Sequence, residues 1–409
     1  MDRNSKITGR LLWAGIFSLS AFLFLAGCVK QPSKPHFRAV SSWTGHRLSR
    51  GLDPANQKLR SWMDLEESLL RSLSFVESKP KHALAVRSGN PALTWGRVHA
   101  SLARLLILLP RLDKEPELLA ENFTWLEVYP RPLMTGYYLP YLEAGLEEGP
   151  DYPYPIYALP PEMKGLDLGR FHHRWEGWTL QYRLEDGEAV PYFDRNAIDF
   201  QEALKGRNLE IALTGDLTDL FFLHIQGSGL LHFPDGTKKY ALYAGKNGHP
   251  YVSLGRVLIE QGCLTREDVS MRSIREFLAQ NPEKMEELFS QNPSYVFFKL
   301  GDEGPFGAMG RLLTPMVSMA VDPKFLPLGS VLVFKSTLPP AGPGLEETEI
   351  TGLSLAQDTG GAIKGNRLDY YCGAGPRVEY MAGNIKARTK AYLLLVREEP
   401  QSRAHKTMK

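Results

Sequence analysis

The sequence predicts a mainly β protein with peripheral α-helices, in which one small β domain is carried within a loop of another. Two observations carry that expectation. The texture of the chain runs helix, strand, helix, strand, an order that suits an insertion better than domains in tandem. Its 409 residues, 43% of them hydrophobic, suffice for two cores and argue against global disorder.

The elements follow in order. Arg3, Lys6 and Arg10 precede an apolar stretch at 11–25, which has the length of a secretory leader and is short for a membrane span. Leu25-Ala26-Gly27-Cys28 closes it with small residues before a cysteine, the pattern of a bacterial lipobox. Residues 1–27 therefore read as a signal peptide and Cys28 as the lipidated residue, since several acyl chains anchor stably where one is marginal. Val29 in place of Asp resembles lipoproteins sorted to the outer membrane, so the expected location is the periplasmic face of that membrane. Residues 28–50, polar and rich in Pro and Ser, read as a flexible tether.

Leu59, Trp62, Leu65, Leu69, Leu73 and Val76 recur at three- and four-residue steps, which predicts an amphipathic helix closed near Pro80. A second helix is expected over 94–109, stopped by Pro110, and a third over 116–125. From 135 to 243, short aromatic and branched runs broken by Gly, Pro and Asp predict strands, including 209–213 and 220–226. Leu254, Val257, Leu258 and Gly262 predict a helix ended by glycine, with further helices at 270–278 and 282–289. Strand texture returns over 295–396, with apolar runs at 331–334 and 392–396. The expected division is 51–138 with 245–400 as the helical region and outer β domain, and 139–244 as the inserted β domain.

A net charge of +2, from 48 basic and 46 acidic residues, gives no electrostatic basis for nucleic-acid binding. His172-His173 would point to opposite faces of a strand, and no zinc-binding spacing, nucleophile elbow or P-loop occurs, so neither metal nor cofactor is implied. Gln226-Gly227-Ser228-Gly229 reads as a turn that presents backbone to a ligand. Cys263 and Cys372 read as free thiols.

The informative stretch runs from Gln357 through Asp358-Thr359-Gly360-Gly361 to Lys364, Arg367 and Asp369. A carboxylate beside a Gly-Gly pair lets a bulky ligand approach closely, with cations at hand; taken alone, a structural turn at Asp358 is the better reading of the same residues. With Val321-Asp322-Pro323 upstream, the segment resembles the three-aspartate signature of the membrane-bound lytic murein transglycosylase A family. Further matches occur in family order: Thr135-Gly136-Tyr137-Tyr138, Pro153-Tyr154-Pro155-Ile156-Tyr157, Ile225-Gln226-Gly227-Ser228-Gly229, Tyr243-Ala244-Gly245-Lys246-Asn247-Gly248 and Asn292-Pro293-Ser294-Tyr295.

That resemblance implies a double-psi β-barrel carrying the aspartates, a second small β-barrel domain closing a groove over it, and peptidoglycan glycan strands as substrate. It implies a lytic transglycosylase that leaves a 1,6-anhydro end, with Asp358 as acid then base and Asp322 and Asp369 as supporting acids. Thr135, Tyr137, Tyr138, Gln226, Gly227, Ser228, Tyr243, Asn247, Gly360, Gly361 and Lys364 are the expected substrate-binding residues, with Phe306-Gly307 a weaker addition. A muramidase using Glu303 or Asp369 as a second acid, and a non-catalytic wall-binding lipoprotein, are the alternatives. Murein synthase or divisome partners stay open.

Overall fold

The computed structural model describes residues 36–86, 93–340, 342 and 346–397; the leader and Cys28 lie outside them. Among the described residues no helix is long and apolar enough to cross a membrane.

Strand β1 (His36–Ala39) and helix α1 (Ser42–Arg50) lead to 3₁₀ turns at Pro54–Gln57 and Trp62–Leu65, then α2 (Glu66–Glu77), α3 (Trp95–Leu112) and α4 (Leu118–Asn122). Next come β2 (Phe123–Tyr129), β3 (Leu133–Leu139), β4 (Tyr141–Gly145), β5 (Tyr154–Tyr157), β6 (Lys164–Asp167), β7 (Thr179–Glu185) and β8 (Glu188–Pro191). They are followed by α5 (Arg195–Asp199), β9 (Glu210–Thr214), α6 (Leu217–Gln226), β10 (Ser228–His232) and β11 (Lys238–Lys246). Helices α7 (Leu254–Glu260), α8 (Met271–Gln280) and α9 (Met285–Ser290) precede β12 (Val296–Gly301), β13 (Ser318–Ala320), β14 (Val331–Leu338) and β15 (Thr348–Asp358). The chain ends with β16 (Arg367–Ala374), α10 (Pro376–Asn384), β17 (Lys386–Arg388) and β18 (Lys390–Val396).

Mainly β with peripheral helices is what these elements form. A nine-stranded sheet has the order β1-β2-β18-β14-β15-β13-β16-β3-β17, a six-stranded sheet the order β12-β11-β10-β4-β9-β5, and β6-β7-β8 make a small third sheet. The apolar runs on β14 and β18 are continuous because both faces are covered. Val331, Val333, Tyr392 and Leu394 pack under α2 and α3, while Leu332, Phe334, Leu393 and Leu395 fill the opposite side. The chain leaves the nine-stranded sheet at Leu139, passes through Pro140 into β4 of the six-stranded sheet, and rejoins the first sheet at Ser318.

Five expectations are corrected. The tether expected over 28–50 is ordered from His36 onward, because β1 pairs with β2 and Ser41 caps α1. Residues 220–226 are helical, because Asp216 caps the backbone N–H groups of Thr218 and Asp219 and Gly227, at φ 75°, closes the helix. Its buried run Leu220-Phe221-Phe222-Leu223 has no polar face, so periodicity could not separate it from a strand. Helix α3 continues through Pro110 to Leu112. Pro110 gives up the one hydrogen bond to the Leu106 carbonyl, and burial of Leu108, Leu109 and Leu112 offsets that loss. The third helix stops at Asn122, and Trp125 lies on β2. A division at 244/245 cuts β11, and β12 pairs with β11 in the six-stranded sheet, so that sheet reaches Gly301.

Candidate active site

Asp358 is the last residue of β15, where strand alternation separates it from its neighbour. The Gln357 amide is buried and bonded to Ser68, Ser72 and Ser318, which fastens β15 to α2, so Asp358 faces the other way. Its two carboxylate oxygens take different donors. The Tyr137 hydroxyl donates to Oδ2 at 2.8 Å and the Ala308 backbone N–H donates to Oδ1 at 2.9 Å. Tyr137 lies on β3 three residues before the chain changes sheet, and Ala308 lies on the connection that brings it back. Asp358 thus sits at the seam between the two sheets.

Asp369 is brought to the same place by β13. Ala320 pairs with Asp358 across a parallel ladder on one side and with Asp369 across an antiparallel ladder on the other. Asp369 is also opposite Thr135, whose hydroxyl donates to its Oδ1 at 2.7 Å. Both carboxyls have partial access to solvent, yet protein surrounds them on most sides. Burial raises the pKa of Asp358, held back by hydrogen bonds from Tyr137, Thr359 and Ala308. Burial pushes Asp369 to about 7; the Thr135 bond and the Arg367 charge oppose the rise, and the Asp358 charge adds to it. Burial and then the Asp358 charge push the Tyr137 hydroxyl well up, so it remains a proton donor to the carboxylate.

Asp322 does a different job. Its Oδ1 accepts from Lys324 N–H at 3.0 Å and its Oδ2 from Gly365 N–H at 2.7 Å, which pins the 359–366 loop. That loop holds Gly360, Gly361 and Lys364. A side chain at Gly360 would meet Ile363 at 2.7 Å, whereas one at Gly361 would meet nothing within 4 Å, so open space lies over Gly361. Lys364 is exposed at the same tip.

Other expected binding residues are placed elsewhere or already engaged. Tyr138 alternates to the opposite face from Tyr137, is 2% exposed, and donates its hydroxyl to Glu379. Gln226 Oε1 accepts from Tyr138 N–H at 3.2 Å, which ties α6 to β3. Ser228 is buried, with its hydroxyl on the Gly227 carbonyl. Asn247 is 1% exposed and makes four hydrogen bonds, donating to Phe193 and Pro293 carbonyls and accepting from His249 and Tyr295 amides. It is a clamp for loops, with no capacity left for a sugar. Tyr243 keeps an open ring face at 49% exposure.

Ala308 was not foreseen as a donor. The signal was Gly307, where any side chain would come within 2.5 Å of the Gln357 carbonyl oxygen, so only glycine lets Ala308 reach Asp358. Tyr371, 5.2 Å from Tyr137 between ring centres, backs that residue. Glu303 is exposed on the connection after β12.

Two part-buried carboxyls of raised proton affinity, flanking Ala320 near the seam between sheets, are the arrangement that acid–base chemistry requires. A model of the MltA specific insert domain matches residues 133–299, and one of the 3D domain matches 317–395. Membrane-bound lytic murein transglycosylase A of Vibrio cholerae serotype O1 is 30% identical over 400 residues, 94% of this chain and 95% of that one. The protein of the same name from Escherichia coli strain K12 is 34% identical over 61% of each chain. Among solved structures, a membrane-bound lytic murein transglycosylase from Agrobacterium tumefaciens has a TM-score of 0.74 at 28% identity, covering 88% of this chain and 98% of that one. E. coli MltA with bound chitohexaose has a TM-score of 0.62 at 26% identity, covering 82% and 90%. The chain belongs to the membrane-bound lytic murein transglycosylase A family. It is a lytic murein transglycosylase, a lyase acting on peptidoglycan.

Proposed function

We propose that the enzyme cuts the β-1,4 bond between N-acetylmuramic acid and N-acetylglucosamine and leaves a 1,6-anhydro end. The supporting observation is one carboxyl, Asp358, oriented by two donors at the seam with its pKa raised. Ordinary glycosidases typically need two carboxyls, one to protonate the leaving oxygen and one to attack or to activate water. Here the nucleophile, O6, is already tethered to the reacting sugar, which makes its effective concentration very high. Protonated Asp358 gives its proton to the glycosidic oxygen as the C1–O4 bond breaks. As carboxylate it then takes the proton from O6 as C1–O6 forms, so no water is consumed and the acid is regenerated.

In this reading Asp369 is a supporting acid reached from Asp358 through Ala320, and Asp322 holds the loop that borders the groove. The open ring of Tyr243, the space over Gly361 and the Lys364 ammonium are the groups best placed to receive the glycan. The raised pKa of Asp369 favours one second reading, a hydrolase in which Asp369 is a second acid. Lipidation at Cys28 would hold the enzyme at the periplasmic face of the outer membrane.

Mass spectrometry of products from purified sacculi tests both readings. Fragments one water lighter than the hydrolytic product, absent with Asp358→Asn, support the transglycosylase mechanism. Reducing ends that carry the water assign hydrolysis, and anhydro products from the Asp358→Asn protein remove Asp358 from its role.

A further inference from the structure

The 164–191 segment forms a small sheet of its own, β6-β7-β8, separate from the nine-stranded sheet that carries Asp358 and Asp369. Between β6 and β7 the chain makes two consecutive 3₁₀ turns, Leu168–Arg170 and His173–Trp175. They are tied by hydrogen bonds from Leu168 N–H to Trp178 O at 2.9 Å and from Trp178 N–H to Trp175 O at 2.9 Å. This knot presents Phe171, Trp175 and Trp178 at 66%, 44% and 64% exposure within eight residues. His172 lies 5.7 Å from Trp175 between ring centres, while Phe171 and Trp178 make no ring contact among the described residues. Large aromatic groups left together in water are costly to maintain and mark a surface that meets a ligand.

The chemistry around them selects the ligand. Residues 164–191 carry four Lys or Arg against five Asp or Glu, so the segment has no net positive charge to draw it to anionic lipid. An open cleft of about 430 Å³ beside the aromatics is lined by Asp167, Arg170, His173, Glu176 and Thr179. Aromatic faces next to intermixed donors and acceptors suit a sugar, whose ring has an apolar face and a rim of hydroxyls that both donate and accept. The sheet also adjoins the loop that follows β11. Gln181 of β7 lies against Gly248, where an added side chain would come within 2.8 Å of it, and its carbonyl accepts from Tyr192 N–H. The substrate of this enzyme class is a polymer that runs on past any single cleavage site.

We propose that the 171–178 loop is a second glycan-binding surface, which holds a peptidoglycan strand of the insoluble wall outside the cleavage site. The proposal rests on the glycan-cleaving reading above. An enzyme so equipped stays on an insoluble polymer between cuts, whereas a short soluble glycan engages the catalytic groove alone.

The test compares the wild-type protein with Trp175→Ala/Trp178→Ala and with a control, Trp43→Ala, which removes an aromatic of 68% exposure on α1. Pelleting with purified sacculi, binding to anionic lipid vesicles, release of fragments from sacculi, turnover of short soluble glycan fragments and thermal melts are measured on each. Loss of two stacking faces should weaken sacculus binding and slow release from sacculi about tenfold, with soluble turnover and melting unchanged and the control normal. Unchanged sacculus binding by the double variant overturns the proposal, as does loss of binding to anionic lipid vesicles while sacculus binding persists. Equal losses on sacculi and on soluble fragments also overturn it, because the loop would then belong to the catalytic groove. A wild-type protein inactive on both substrates would refute the functional reading, and pelleting would still decide whether the loop binds glycan.

Discussion

Tyr137 and Asp358 lie 221 residues apart in the chain and share a hydrogen bond of 2.8 Å, with the tyrosine as donor. The bond stabilises the ionised carboxylate, so it lowers the Asp358 pKa against the larger upward push of burial. If the reaction begins from protonated Asp358, kcat/KM falls as pH rises through that pKa. Tyr137→Phe removes the lowering contribution, so the basic limb of the profile moves to higher pH. Turnover at the optimum falls about tenfold to a hundredfold because one charge-orienting donor is gone. A limb that stays in place or moves to lower pH would show that Tyr137 does not hold the acid.

Asp369 makes a prediction about stability. Its pKa is about 7 in the fold and about 3.9 in an unfolded chain, so the native state favours the protonated form. Below about pH 4 the group is neutral in both states and costs nothing. Between about pH 4 and 7 the unfolded chain releases the proton more readily, and stability falls as pH rises. Asp369→Asn abolishes this loss, while the Thr135 hydroxyl can still donate to the amide oxygen. The substitution should leave stability at pH 4 nearly unchanged and raise it at pH 8 by on the order of 1–3 kcal/mol. Denaturant melts at the two values check it, and equal effects at both would rule out the titration.

Much of this site could be read from residue order, and the rest depended on contacts that order does not encode. Asp358, Asp369, Thr135 and Tyr137 occur in recognisable motifs, and strand pairing through Ala320 and β3 brings them together. Tyr138 and Asn247 occur in equally recognisable motifs but serve the framework. Period-two alternation turns Tyr138 inward, and a tight loop spends every hydrogen bond of Asn247. A motif records that a residue matters and leaves open whether it faces the ligand or the scaffold. Gln57 was invisible for the opposite reason. It lies in a short 3₁₀ turn with no pattern around it. Yet its buried amide bonds Leu353 through both N–H and C=O and reaches Met316 and Tyr370, some 260 to 313 residues away. The long strands were legible because both of their faces are buried. Helix α6 was not, because its apolar run lacks a polar side.

Gly307 tests whether the Ala308 donor matters. A β-carbon there would lie 2.5 Å from both the Gln357 carbonyl oxygen and Leu313 Cδ2, and the former is backbone that cannot rotate away. Gly307→Ala should therefore displace the 306–308 segment at a cost of about 1–3 kcal/mol in stability. It should also draw the Ala308 N–H off Asp358, lowering turnover of a short soluble glycan by about tenfold or more. A melting shift with unchanged turnover would mean that the Ala308 hydrogen bond is dispensable.

Asp322 separates loop positioning from proton transfer. Its carboxylate touches two backbone amides, Lys324 and Gly365, and neither Asp358 nor Asp369 is among its hydrogen-bond partners. Asp322→Ala leaves the Gly365 N–H without its acceptor and frees the 359–366 loop, where Gly365 sits in left-handed backbone at φ 64°. Loss of two charge-assisted hydrogen bonds should cost about 1–3 kcal/mol in stability. Hydrogen exchange at Gly365 and its neighbours should quicken. KM for a soluble glycan should rise more than kcat falls, because the groove border is loosened while the acid keeps both its donors. Asp322→Asn, which can still accept through its amide oxygen, should restore part of the effect. If instead Asp322→Ala shifts the pH profile as Tyr137→Phe does, Asp322 acts on the proton of Asp358, and the assignment of this aspartate to the loop is wrong.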